Sequence, residues 1–322
     1  MSGRLVRIVI GLVALALLDT ALWYAAEMQM RASWRNTLAQ AAVDGWHVTS
    51  GEAHAEGWPT AARLRVDGLE MSRDDGRILA GGIGFGAQSL LLDLPFTLPL
   101  RLTIRPQGAQ HLRVGLLPDS ALSEGDLVLR TALDGGFANL ATENMVWSVQ
   151  PAPLALGHLV AELHQNRGAH PAHGSLVATL DGLDISVLAQ RFGLQGLIAH
   201  AGLDIGLQDG IVTLRDFAIT WGKLAVNGNA TMHADAAGQP AGEGKVVITG
   251  ADEMLAELAA AGRITPQNAQ TATLILRMLQ RTGQDGRSVV ELPLSVRDRA
   301  VTVAQFPVAR LPPMNLPQGI IP

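Results

Sequence analysis

The side chains of this chain that could do chemistry are few and poorly spaced for it. His164, His170 and His173 fall in the stretch HQNRGAHPAH, where the last two have H-x-x-H spacing. Three imidazoles could hold zinc or copper, but no carboxylate or cysteine stands at tight ligand spacing, and Pro171 prevents the regular helix that would align them. The stretch reads as a solvated loop. Two acidic pairs, Asp74 with Asp75 and Asp252 with Glu253, could serve acid and base roles. The first sits in a turn and the second at a helix start, where acids are favoured for structural reasons. No G-x-S-x-G elbow, Walker loop, H-E-x-x-H pair or ribose-binding G-x-G-x-x-G unit is present. The glycine-rich run at 81–86 opens a strand rather than a helix and so makes no phosphate cradle. The chain reads as non-catalytic, and nothing in it calls for a cofactor or a metal.

What positions these residues is a repeating strand grammar, clearest at 209–235, DGIVTLRDFAITWGKLAVNGNATMHAD. Val212 and Leu214 alternate with polar neighbours, the phase slips at Arg215-Asp216, and Phe217, Ile219 and Trp221 resume it. After a Gly222-Lys223 turn, Leu224, Val226, Ala230 and Met232 repeat the pattern. Period-two patterning around a glycine turn predicts an antiparallel hairpin with one apolar and one wet face. Similar runs at 46–53, 61–72, 83–92, 98–105, 125–133, 139–150, 176–185 and 197–207 are separated by turns, several of them Asp-Gly. The repeat is loose and has no fixed period, so neither a solenoid nor a propeller is expected. Residues 154–165 fit either a short helix or an edge strand, and 185–192 a short helix. A strand at 245–249 precedes two helices, one capped by Asp252 and ending at Gly262, the other capped by Thr265, with Pro266 in its first turn, and running to Arg281. Leu274, Ile275, Met278 and Leu279 make the second helix broadly apolar, so it is expected to lie on the sheet. A hairpin at 288–306 and the proline-rich tail 307–322 close the chain.

Residues 8–26, IVIGLVALALLDTALWYAA, follow Arg4 and Arg7 and have the length of a transmembrane helix. A cleaved signal peptide would place Trp23 or Tyr24 at the −3 position, a poor site, so an uncleaved anchor is expected. The arginines orient residues 1–7 toward the cytoplasm and the remainder into the periplasm of a Gram-negative cell, giving a single-pass inner-membrane protein. Asp19, inside the run, is a candidate contact for a partner helix or a tolerated acid. Residues 27–44 continue as an amphipathic helix bearing Met30, Trp34 and Leu38. A periplasmic β-rich domain follows over 45–306, with a division into two subdomains near 150–175 left open.

With 322 residues and 48% apolar content the chain can bury a large core. Its net charge of −5, with only Lys223 and Lys245 as lysines, offers no basic patch for nucleic acid. The absence of cysteine fits a domain held by core burial rather than disulfides. The expected fold is mainly β with a few helices: a large curved antiparallel sheet or half-barrel with the helical hairpin packed on it, after one transmembrane helix. Apolar surface is then the functional candidate. A groove for lipid or a partner would be lined by Phe217, Ile219, Trp221, Leu274, Ile275 and Met278, unless the helices seal that face as core.

The anchor, the G-W-P turn at 57–59, the G-x-L-x-V-x-G hairpin at 222–228, the helical pair after Gly250 and the Leu311-Pro312-Pro313 close together resemble a family of Gram-negative envelope proteins defined by a domain of unknown function. The stretch 204–264 is also similar to parts of AsmA-like proteins, inner-membrane-anchored periplasmic β proteins linked to phospholipid traffic and outer-membrane homeostasis. That second resemblance implies a curved sheet with an apolar concave face, and no catalytic residues carry over from either family. The anchor, the one-sided strands and the missing catalytic motifs point to a non-catalytic envelope role with the inner membrane and lipid as partners. The alternative is a scaffold that engages another envelope protein through Asp19 and the proline-rich tail, and a third reading is a periplasmic hydrolase using the His164 to His173 loop.

Overall fold

Alternating runs with turn residues between them, and no run that reads as a crossover helix between parallel strands, dictate a meander, and that is the architecture. The computed structural model describes residues 3–59, 61–74, 82–96, 100–115, 120–123, 125–133, 135–149, 153–166, 173–186, 189, 196–208, 211–235, 239–282 and 288–311, the side chains of 3–12, 166, 282 and 288 excepted. Eighteen strands form one sheet, and three helices accompany it among the described residues. Helix α1 (Gly3–Val43) leads into β1 (His47–Thr49), β2 (Ala53–Glu56), β3 (Ala61–Arg73), β4 (Ile83–Pro95), β5 (Arg101–Val114), β6 (Ser120–Ser123), β7 (Val128–Ala132), β8 (Phe137–Trp147) and β9 (Leu154–Asn166). Next come β10 (His173–Asp184), β11 (Leu197–Gln208), β12 (Ile211–Trp221), β13 (Leu224–Ala234) and β14 (Pro240–Thr249). Helices α2 (Ala251–Ala260) and α3 (Pro266–Leu279) precede β15 (Gln280–Thr282), β16 (Ser288–Arg297), β17 (Ala300–Val303) and β18 (Phe306–Arg310).

Every pairing is antiparallel and almost every one joins neighbours in sequence. β1 and β2 share one edge of β3, and β6 and β7 together fill the place between β5 and β8. From β8 the ladder runs unbroken through β9, β10, β11, β12, β13 and β14 to β16.

Register sorts the residue types. One row of direct partners reads Leu64, Leu92, Ile104, Leu129, Leu140, Ala161, Ala178, Leu203, Phe217, Gly228, Val246 and Leu292. The adjacent row, pointing the other way, reads Arg63, Asp93, Thr103, Arg130, Asn139, Glu162, Val177, Asp204 and Asp216. Side chains alternate between faces along a strand, so these rows define an apolar and a polar face. At ~4.8 Å per strand the apolar row spans about 50 Å.

A line of irregularities crosses the sheet. It runs through Gly68 (φ 60°), the shift between Ala87 and Ser89, Gly108 (φ 75°), the β6–β7 gap with Gly125 (φ 93°), Asn144 (φ 51°), Gly182 (φ 68°) and the shift at 198–200. Each bulge bends its strand and resets the alternation, so Leu69 and Met71 follow Leu64 and Val66 on one face. Stacked on successive strands, the bulges act as one crease.

The apolar face is sealed at its N-terminal end. Met30 on α1 is buried with Ala62, Leu64, Val66, Leu69, Leu90, Leu92 and Leu94, and Ala26 and Trp34 pack beside it. Trp23 Nε1 donates to the Ala61 carbonyl at 3.1 Å, fixing where α1 meets the sheet. A second cluster joins Ala230, Val246 and Leu294 with Leu214, Phe217, Val226 and Ile248.

Several expectations change in detail. Residues 154–165 form the interior strand β9, because flanking β8 and β10 supply both ladders. The closing hairpin gains a further turn at Ala304-Gln305, both at positive φ, which makes β18 a separate edge strand. Asp252 does not cap α2: the cap is Gly250 in the left-handed region, and the Asp252 carboxylate instead accepts from Gln280 Nε2 at 2.9 Å. α3 stops at Leu279, two residues before the expected Arg281, because Gln280 and Arg281 pair with β16. The run expected to be an anchor and the amphipathic segment are one helix, α1. Among the described residues no helix is long and apolar enough to cross a membrane.

Candidate functional site: the apolar face of the central strands

Between the two buried clusters lies a stretch of the apolar face that is not closed. α1 packs on β1 and β3, α2 on β13 and α3 on β16. On β8 to β12, Leu140, Ala161, Leu176, Ala178, Leu180, Leu203, Ile205 and Phe217 are only half-buried, while Leu163 and Ile219 keep 48% and 43% of their surface exposed. The strands place these residues by alternation alone, helped by the bulge between Leu214 and Phe217 that keeps both on one face. Gly228 makes room for the Phe217 ring: a Cβ there would stand 2.6 Å from Phe217 Cε1.

The helical hairpin does not cover this face. Neither α2 nor α3 has a buried residue, and Leu274, Ile275 and Met278 are 61%, 54% and 86% exposed. The expectation that so apolar a helix must lie on the sheet fails because α3 packs mainly against α2, meets the sheet chiefly at β16, and leaves Leu274, Ile275 and Met278 exposed. The six groove residues predicted from sequence therefore divide. Phe217, Ile219 and Trp221 share the sheet face, and Leu274, Ile275 and Met278 form a separate exposed patch. Asp19 lies on α1, half-exposed, in a run where Leu15, Leu17, Leu18 and Leu22 are exposed.

The polar face carries pairs of basic or imidazole side chains with carboxylates across strands. Arg63 meets Asp93 at 3.1 Å, Arg65 meets Glu56 at 3.0 Å, Arg113 meets Asp74 at 2.7 Å, His111 meets Glu70 at 3.0 Å and His200 meets Asp181 at 2.7 Å. Over β7 to β9 this face holds a cleft of ≈ 900 Å³. In it Arg130 donates to Asn139 Oδ1 at 3.4 Å, and Asn139 donates to Glu162 Oε1 at 3.1 Å. His158 stands 3.9 Å from Glu143, beyond hydrogen-bond reach, so this pair does not form a base held by an acid.

Of the sequence candidates for chemistry, His164 and His173 line one shallow depression at the ends of β9 and β10, while His170 lies outside the described residues. No group of three His, Asp or Glu residues converges to hold a metal among the described residues. Asp74 is engaged by Arg113, and Asp75 lies outside the description. One carboxyl has a displaced pKa. The Ser186 hydroxyl and then its backbone N–H hold Asp184 below the ordinary aspartate value, a turn-forming arrangement where β10 ends.

Sequence reasoning missed the crease and the length of the open face. The signals were present as single residues, Gly68, Gly108, Asn144 and Gly182, but only register shows that they line up. The sequence profile of a family described as "Uncharacterized protein conserved in bacteria (DUF2125)" matches residues 23–312. No match is found among curated proteins or among solved structures.

Proposed function

This chain belongs to the bacterial DUF2125 family, and we propose that it is a single-pass, inner-membrane-anchored, periplasm-facing protein that holds lipid acyl chains on its sheet in envelope maintenance. The observation that carries the reading is the apolar face left open over β8 to β12. An acyl chain reaches about 15 Å, half of the ~30 Å hydrocarbon core of a bilayer. Five strands at ~4.8 Å spacing offer about 20 Å of apolar width. Each buried methylene contributes ~0.8 kcal/mol, so even a partly covered chain is retained. The opposite face carries the charges, which keeps one side in water while the other takes a greasy ligand. Among the described residues no group on either face is arranged as nucleophile and base, and the role proposed is a non-catalytic one.

The anchor rests on the run 8–26 and on α1, whose Leu15, Leu17, Leu18, Leu22 and Tyr24 are exposed. Such residues on a projecting helix suit a lipid surround. The likeness of 204–264 to AsmA-like proteins agrees in kind, since those are anchored periplasmic β proteins with an apolar sheet face. The full-length chain purified in mild detergent, extracted and analysed by mass spectrometry, is expected to carry phospholipid. Photoactivatable acyl chains are expected to crosslink to β9–β12 on the apolar side. A lipid-free protein whose adducts fall equally on both faces would remove this reading.

A further inference from the structure

We propose that the α2–α3 hairpin is a second lipid-contacting element, seated through Leu274, Ile275 and Met278 on the surface of an anionic bilayer. These side chains are exposed at 61%, 54% and 86%, although Thr265 and Pro266 start the helix firmly and Gln280 ties its far end to Asp252. The helix is therefore held in place with its apolar side turned outward. Its charge selects the occupant. The hairpin's acids, Asp252, Glu253 and Glu257, all lie on α2, whereas residues 262–281, which bear the apolar patch, contain Arg263, Arg277 and Arg281, all exposed, and no acid. Exposed arginines around an apolar helix face are the pattern of a helix that lies in a headgroup layer and is drawn to anionic lipid.

The hairpin stands apart from α1 on the sheet. Trp23 joins α1 to the sheet at Ala61, the strand ends that Pro240 and Val296 share by register, whereas the hairpin hangs from Thr249 at the other ends. This contact does not depend on what the sheet face holds.

The chain has no cysteine, so single labels are unambiguous. Met278→Cys, Gln267→Cys and Leu17→Cys, each in the full-length chain, would carry a polarity-sensitive fluorophore in proteoliposomes of phosphatidylcholine with and without phosphatidylglycerol. Met278 and Gln267 are exposed, so these labels leave the fold intact. Expected is a brighter, blue-shifted signal at 278, quenched by lipid-borne quencher, only with phosphatidylglycerol, while 267 stays aqueous. Each arginine near an anionic surface gives about a fivefold gain in partitioning, so Arg277→Gln with Arg281→Gln lowers it about 25-fold. An aqueous 278 in both lipids overturns the proposal, and the label at 17 then tells whether the anchor survives alone. Burial of 278 that is equal in both lipids and rises with protein concentration also overturns it, in favour of a protein partner. Burial at 278 with an aqueous 17 upholds the hairpin contact and removes the anchor.

Discussion

At single residues, close approaches and short hydrogen bonds decide what the sheet tolerates. Gly228 lies under Phe217, and a Cβ there would come within 2.3 Å of the Lys245 carbonyl oxygen as well as 2.6 Å of the ring. The ring can turn, but the carbonyl belongs to the β13–β14 ladder and cannot move without breaking it. Gly228→Ala is expected to cost about 1–3 kcal/mol, the range for overpacking, read as a lower midpoint in chemical denaturation. Asp184 gives a pH-dependent counterpart. Its carboxylate accepts from the Ser186 N–H at 2.7 Å and from the Ser186 hydroxyl, and its pKa is lowered. A carboxyl with a depressed folded-state pKa adds stability above its unfolded value of ~3.9 and loses it as pH falls through the lower folded value. Ser186→Ala removes the largest cause, so the Asp184 titration should rise toward the ordinary value by carboxyl NMR. No change would show that the backbone N–H alone sets it. The sequence makes some of this scale plain, since the slip at Arg215-Asp216 and the Thr265 cap are local chemistry. Gly228's role is not, because it depends on two partners on other strands.

Elements differ in what holds them. α1 and the β3–β4 pair form the larger of the two buried clusters among the described residues, with Leu64 and Val66 fully buried alongside Met30. Leu64→Ala is expected to cost about 2–5 kcal/mol through lost burial and the cavity left behind, measurable as a fall in thermal midpoint. A midpoint unchanged by that substitution would mean that α1 does not sit on this face. The α2–α3 hairpin is the opposite case, a pair with no buried residue, of which α3 has a side-chain cap and α2 has none. Helical periodicity in the sequence located both helices near 251–260 and 266–279, but periodicity records only that one side is apolar. Which surface that side meets is decided by tertiary placement, and here it meets solvent. β9 shows the same limit: its residues fit two local conformations, and the choice comes from β8 and β10 on either side.

On the scale of the whole molecule, sequence-adjacent antiparallel pairing produces one sheet whose two faces never exchange roles, even across the crease. Along the crease, irregularities on successive strands stand beside one another, as at Gly108, Gly125 and Asn144. A sheet used only as core would be closed by helices along its length. This one is closed where α1 lies and left half-open over β8 to β12. Leu163 and Ile219, exposed at 48% and 43%, are the residues at which a charge can be added at least structural cost. Substitutions at such partly exposed positions usually change stability by about 0.5 kcal/mol or little more. A carboxylate on an acyl track, by contrast, must be desolvated against hydrocarbon. Leu163→Asp with Ile219→Asp is therefore expected to leave the denaturation midpoint of the full-length chain nearly unchanged while abolishing photo-crosslinking of acyl chains to β9–β12. If the crosslinks persist at wild-type yield in a folded double variant, the open face is not where lipid is held.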